Sequence, residues 1–126
     1  MPKTNLEFGR LGEKAAVDFL KNNGYKIIRR NYKNKLGEID IIAQEKDVLV
    51  FIEVKSRRTT AYGLPQEAVH SFKQGQMGKV ALYYLKENNL LEKRARFDII
   101  SVTNINESPQ INLIRNAFEL QDKYSY

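Results

Sequence analysis

Short apolar runs alternate with polar breaks along this chain, and their periods switch between those of helices and strands. Thr4-Asn5-Leu6-Glu7 reads as a capping box, whose side chains satisfy the free amides of a helix start. The helix it opens is predicted to reach about Asn23, with Gly24 as the residue that ends it. On a wheel of about 100° per residue, Gly9, Gly12, Ala16, Phe19 and Leu20 share one broad face. Glu7, Lys14, Asp18 and Lys21 lie opposite, and the two glycines are expected to allow close packing. Tyr25 to Arg30 is aromatic and β-branched enough for a strand, and Asn31 to Leu36 reads as a basic turn.

Residues 37–43 and 48–56 carry the strongest strand patterns, and the polar link Gln44 to Asp47 implies an antiparallel hairpin. Residues 57–66 read as a loop. Ser71 with Gln74 could cap a second helix reaching about Asn88, with Met77, Val80, Ala81, Tyr84 and Leu85 inward. Arg96 to Val102 is a fourth strand and Ile111 to Arg115 a short fifth. The order α-β-β-β-α-β-β describes an α/β fold, a mixed central sheet flanked by helices, in a single domain over residues 1–126.

The hairpin carries the chemistry. Side chains alternate along a strand, so Glu38, Asp40 and Ile42 share one face, as do Leu49, Phe51, Glu53 and Lys55 on the next. If Gln44 pairs with Asp47, Asp40 lies diagonal to Glu53; if Gln44 pairs with Leu49, Asp40 faces Glu53 directly. Either register gathers Asp40, Glu53 and Lys55, and a one-residue slip would scatter them. Two adjacent carboxylates repel unless a proton or cation lies between them. A Glu-x-Lys pair on a strand is ordinarily a solvated ion pair. Here the run VLVFIEV is apolar on both faces, as in a buried central strand, and charges at its end call for partners or a cleft. Glu13 falls on the inner face of the first helix and is its one acidic residue aimed towards the sheet.

Composition narrows the ligand. The chain has no cysteine and a single histidine, so disulfides, thiolate zinc sites and His-rich sites are excluded. A bound metal would be held by oxygen, which favours Mg²⁺ or Mn²⁺ over Zn²⁺. Lysine and arginine number 21 against 15 acidic residues, a net charge of +6 that suits a polyanion such as nucleic acid. Arg29, Arg30, Lys33 and Lys35 precede the first acid, and Arg57 and Arg58 follow the lysine; they could hold a phosphate backbone or simply be solvated. Tyr62 could stack on a base, His70 reads as a helix-start residue, and Asp98 as a partner of a nearby cation. No segment has signal-peptide or membrane-span character, so a cytoplasmic protein without a membrane is expected.

A helical glutamate, then Gly-Glu-Ile-Asp, then a hydrophobic strand ending Glu-Val-Lys, resembles the PD-(D/E)xK nuclease superfamily. More narrowly the chain resembles the YraN-like family of bacteria, through residues 9–15, Asn31, residues 37–43, 51–57 and 63–69, Lys73, residues 96–98 and 116–118. Two features depart from the pattern: Ile39 stands where the superfamily has proline, and Gly75 and Gly78 interrupt a helix that is usually more basic. The resemblance implies a three-layer restriction-endonuclease-like fold, related to junction resolvases that act as dimers, which raises a homodimer. It implies Asp40, Glu53 and the Val54 carbonyl as metal ligands, Lys55 as catalytic lysine, Glu13 as a helical acid near the metal, and Lys73 as a polar residue on the second helix. The reading that follows is a Mg²⁺- or Mn²⁺-dependent nuclease acting on DNA or structured nucleic acid. Its rivals are a nucleic-acid-binding module with little activity and an interaction domain whose acids form only an ion-pair network.

Overall fold

A computed structural model describes residues 5–57, 71–103 and 108–118. The elements are α1 (Asn5–Asn22), β1 (Tyr25–Asn34), β2 (Gly37–Glu45), β3 (Val48–Arg57), α2 (Ser71–Glu87), β4 (Ala95–Thr103) and β5 (Gln110–Phe118). The strands form one sheet in the order β1-β2-β3-β4-β5. Neighbours are antiparallel except β3 and β4, which are parallel and have α2 between them in the chain. A parallel pair needs such a crossover. The order and the mixed sheet are those the hydrophobic pattern predicts, with α1 packed on one face and α2 on the other.

Each helix covers the sheet through one apolar stripe. Ala16, Val17 and Leu20 of α1 pack with Ile41, Ala43, Val50, Ile52, Ile100 and Val102. Met77, Val80, Ala81, Tyr84 and Leu85 of α2, the five residues expected inward, pack with Ile42, Leu49, Phe51, Phe97 and Ile99. β3 is buried on both faces, which is why its sequence is a continuous apolar run. Gly24, at φ 87°, takes the left-handed turn that ends α1, its amide donating to the Lys21 carbonyl at 3.3 Å. Thr4, the expected cap, lies outside the described residues.

Three boundaries differ from the sequence expectation. β1 runs on to Asn34 where a basic turn is predicted. Asn31 adopts φ 53° and keeps the strand going, and Tyr32 is buried against Tyr84 with ring centroids 5.1 Å apart. An edge strand tolerates Arg and Lys on its solvent side, so charge did not stop it. The β2–β3 connection shrinks to Lys46-Asp47, with Lys46 left-handed at φ 55°. β5 extends to Phe118, stacked on Phe97 at 4.5 Å. α2 passes Gly75 and Gly78 without a break, held by the buried stripe that follows.

The end of the sheet at the β2–β3 turn is tied by a charged network. Asp98, fully buried, accepts hydrogen bonds from the Tyr25 hydroxyl at 3.0 Å, Arg96 Nε at 3.0 Å and the Asn116 amide at 2.9 Å. Arg96 also donates to Glu45 Oε1 at 2.7 Å, and Arg115 donates to the same oxygen. Four strands meet there. Burial, with the Asp98 charge adding to it, pushes the Tyr25 phenol up. Asp98→Asn removes the charge of a fully buried carboxylate from a partly buried arginine, and the expected loss is about 3 kcal/mol in urea unfolding. Tyr25→Phe, which deletes one hydrogen bond to the same carboxylate, should lose about 1 kcal/mol.

Candidate functional site

The β2–β3 ladder pairs Gln44 with Leu49 and ends with Ile41 opposite Ile52. This is the second of the two registers open from sequence, and the next residues along the strands are Asp40 and Glu53. On the other flank β1 pairs Arg30 with Ile41 and Tyr32 with Ile39, which sets Asn31 beside Asp40. Regular alternation slips here: Ile41 packs on the α1 side and Ile39 on the α2 side. The left-handed Asn31 stands at that slip. Asp40 thus reaches both ways. It lines a groove shared with α1, and its Oδ2 accepts the Val54 amide at 2.8 Å while its carboxyl lies beside that of Glu53.

Glu53 is buried, with its side chain 7% exposed, and its Oε1 lies 3.4 Å from Lys55 Nζ and 3.5 Å from Lys73 Nζ. Lys55 comes from the same strand two residues on, and Lys73 from the first turn of α2, so the helix and the strand deliver cations to one oxygen. On the α1 side, Glu13 Oε1 accepts Arg30 Nε at 3.2 Å and Asn31 Nδ2 at 3.0 Å. Burial pushes Asp40 up to about 7; the Glu53 charge, the hydrogen bond to Glu53 and the Glu13 charge add to this, and the Val54 amide opposes it. Near neutrality the Asp40–Glu53 pair therefore carries less than its full negative charge.

The groove has a volume of about 570 Å³ and lies between Leu6, Gly9, Arg10 and Glu13 of α1 and the β1–β2–β3 rim at Asn31, Lys33, Glu38, Asp40, Val54 and Ser56. Among the described residues no three His, Cys, Asp or Glu side chains converge closely enough to hold an ion by themselves. The donors that could take one are the carboxylates of Asp40 and Glu53, both hard oxygen ligands that suit Mg²⁺ or Mn²⁺ with water completing the shell. Burial first, and then the Glu53 charge, disfavour a negative charge on Asp40, and a divalent cation would offset both. The residues fit such an ion.

The remaining basic residues have mixed assignments. Arg29 lies over the Tyr32 ring at 5.1 Å and Lys35 over Tyr83 at 5.8 Å, while Lys33 pairs with Glu38 at 4.0 Å and borders the groove. Arg30, expected to face phosphate, is engaged with Glu13 and holds that carboxylate in place. The Arg57 side chain, Arg58, Tyr62 and His70 lie outside the described residues. Gly9 does not serve close packing as the helical wheel suggested: it is exposed, and among the described residues a Cβ built there would meet nothing within 4 Å. Sequence reasoning missed Arg10. Its signal was its place one residue from Gly9 and three from Glu13, on one stripe of the helix.

The Asp40 shift has a consequence for stability. Between about pH 4 and pH 7 the folded chain keeps a proton on Asp40 that the unfolded chain, with its ordinary carboxylate, has released. This group's contribution is therefore most favourable below the unfolded pKa, falls as pH rises towards 7, and is flat above it. In EDTA, urea unfolding of Asp40→Asn should lack that slope, and the variant should be more stable than its parent at pH 8. Parallel pH dependences in the two proteins would contradict the assignment.

Comparison with known proteins places these residues in a family. Residues 12–102 match the family described as Uncharacterised protein family UPF0102, a span that holds the Asp40, Glu53, Lys55 and Lys73 cluster. A UPF0102 protein of Syntrophus aciditrophicus is 48% identical over 116 residues, covering 92% of this chain and 91% of that protein. One from Geobacter metallireducens is also 48% identical over 116 residues, covering 92% and 95%. One from Caldicellulosiruptor saccharolyticus is 46% identical over 114 residues, covering 89% and 97%. The chain belongs to the UPF0102 family.

Proposed function

We propose that the chain is a metal-dependent endonuclease of the PD-(D/E)xK type that hydrolyses phosphodiester bonds of DNA or structured nucleic acid. The observation that carries this reading is the Asp40–Glu53 pair at the end of two buried strands, with Asp40 on the groove shared with α1 and two lysines against Glu53. Like charges set together at a cleft work against stability, and such strain concentrates at sites of chemistry. A net charge of +6 suits the polyanion.

Asp40 and Glu53 would hold Mg²⁺ or Mn²⁺, with the Val54 carbonyl as a third oxygen. When bound, the cation supplies polarisation of a phosphoryl oxygen and a lower pKa for coordinated water. The chain's own groups do the rest. Lys55, partly exposed beside Glu53, would donate to a non-bridging phosphoryl oxygen as negative charge builds there. Lys73, 3.5 Å from Glu53 Oε1, would hold that carboxylate oriented. Glu13, fixed by Arg30 and Asn31, would accept a hydrogen bond from water in the groove.

A nucleic-acid-binding module is the second reading, favoured by one observation: Lys55 and Lys73 already compensate Glu53 without an ion. The test is cleavage of duplex, flap and four-way-junction DNA with Mg²⁺ or Mn²⁺. Asp40→Asn and Lys55→Ala should each lower the rate by on the order of 100-fold. Binding of Asp40→Asn in EDTA should hold or tighten, because a negative charge facing the phosphates is gone. A parent that binds these substrates and cleaves none of them leaves the binding module; a parent that binds none overturns both readings.

A further inference from the structure

We infer that α1 carries, at Gly9 and Arg10, a binding ridge for one sugar-phosphate strand, which lies over the Gly9 backbone with a phosphate on Arg10. The inference rests on the nucleic-acid reading above and adds a contact surface that the basic residues around the β-hairpin do not include.

Gly9 is without a reason among the described residues. It stands in the second turn of an 18-residue helix, where glycine costs about 1 kcal/mol relative to alanine. Its φ is not among the positive values found at Gly24 and Gly37, so no left-handed turn requires it. Among the described residues a Cβ at this position would meet nothing within 4 Å, so none of these neighbours requires it either. The space above it is the groove of about 570 Å³ that leads to Asp40. What gains from a missing side chain there is a body from outside the chain that approaches the helix backbone closely.

The surroundings give that body its chemistry. Arg10 is exposed at the groove and, among the described residues, has no ion pair or hydrogen bond. Of the two cations that line the groove, Lys33 has a carboxylate partner in Glu38, so Arg10 is the one more ready to take an anion. Leu6, 64% exposed, adds an apolar surface one turn earlier on the same stripe. From Leu6 to Glu13 the stripe is roughly 10 Å long at 1.5 Å per residue, enough for consecutive nucleotides. Alternating anionic and apolar surface along a narrow track is what a nucleic-acid strand presents: phosphates for Arg10 and, across the groove, Lys33, and sugars for Leu6 and the bare backbone at Gly9.

The experiment uses the full chain and a fluorescein-labelled forked DNA, with binding followed by anisotropy in EDTA over a range of salt, and thermal melting of each variant. Lys26→Ala removes the same charge as Arg10→Ala, from the exposed start of β1 at the other end of the sheet. Gly9→Ala should melt at or above the parent temperature and yet bind about 5- to 10-fold more weakly, because a methyl group occupies the path of the strand. Arg10→Ala should bind about 5-fold more weakly, with its salt slope reduced by roughly 0.7 to 0.9. Lys26→Ala should bind like the parent. A Gly9→Ala variant that binds as its parent does, or that melts below it, overturns the inference, as does an Arg10→Ala variant no weaker than Lys26→Ala. In those cases the parent still binds and the nucleic-acid reading stands; a parent that binds no DNA overturns that reading and the ridge together.

Discussion

Two carboxylates, Asp40 and Glu53, sit side by side at the end of a hairpin whose inner residues are fully buried, and the rest of the site follows from their repulsion. Neither is free to turn away, because β3 is covered on both faces and its register to β2 is fixed by apolar pairs. The charge must be met where it stands. The Val54 amide meets part of it at Asp40, and Lys55 and Lys73 meet part at Glu53. α2 therefore has two tasks. Its apolar stripe covers the sheet, and its first turn brings a cation to the strand end.

The two ends of the sheet treat buried charge in opposite ways. At the β2–β3 turn, Asp98 is closed in by Tyr25, Arg96 and a backbone amide, and Arg96 passes on to Glu45. Among the described residues no buried side-chain polar atom lacks a partner, and this network is one reason. At the other end the acids are partnered by one another as much as by cations, and Asp40 keeps its proton up to about pH 7. The closed end tolerates no guest. At the open end Asp40 faces a groove, and this asymmetry sets a closed ion network apart from a pair of acids left at a cleft.

Much of this was legible in the sequence. Period-two alternation in the hairpin and the helical stripe at Met77 to Leu85 fix the element order, since burial dictates both. Asp98 could be named as a partner for a nearby cation because an acid in an apolar strand needs one. The register was not legible: whether Gln44 meets Asp47 or Leu49 depends on a two-residue turn with a left-handed lysine, a conformation that composition does not favour. The reach of β1 through Asn31 was missed for a related reason. A single left-handed asparagine can carry a strand onward, and the buried Tyr32 holds it there against a run of basic residues that reads as a turn.

Gly9 shows how a residue's meaning can change between sequence and structure. On a helical wheel it shares the inner face with Ala16 and Leu20, and close packing is the natural reading. Packing, however, depends on where the sheet ends as well as on angle. α1 overhangs the rim at its first turns, so a position that points inward by angle stands over a groove by distance. The same overhang carries Glu13 to Arg30 and Asn31. One helix thus seals the core with its C-terminal half and borders the open end of the sheet with its N-terminal half, and the division falls where the strands give up their apolar pairs and begin to carry acids.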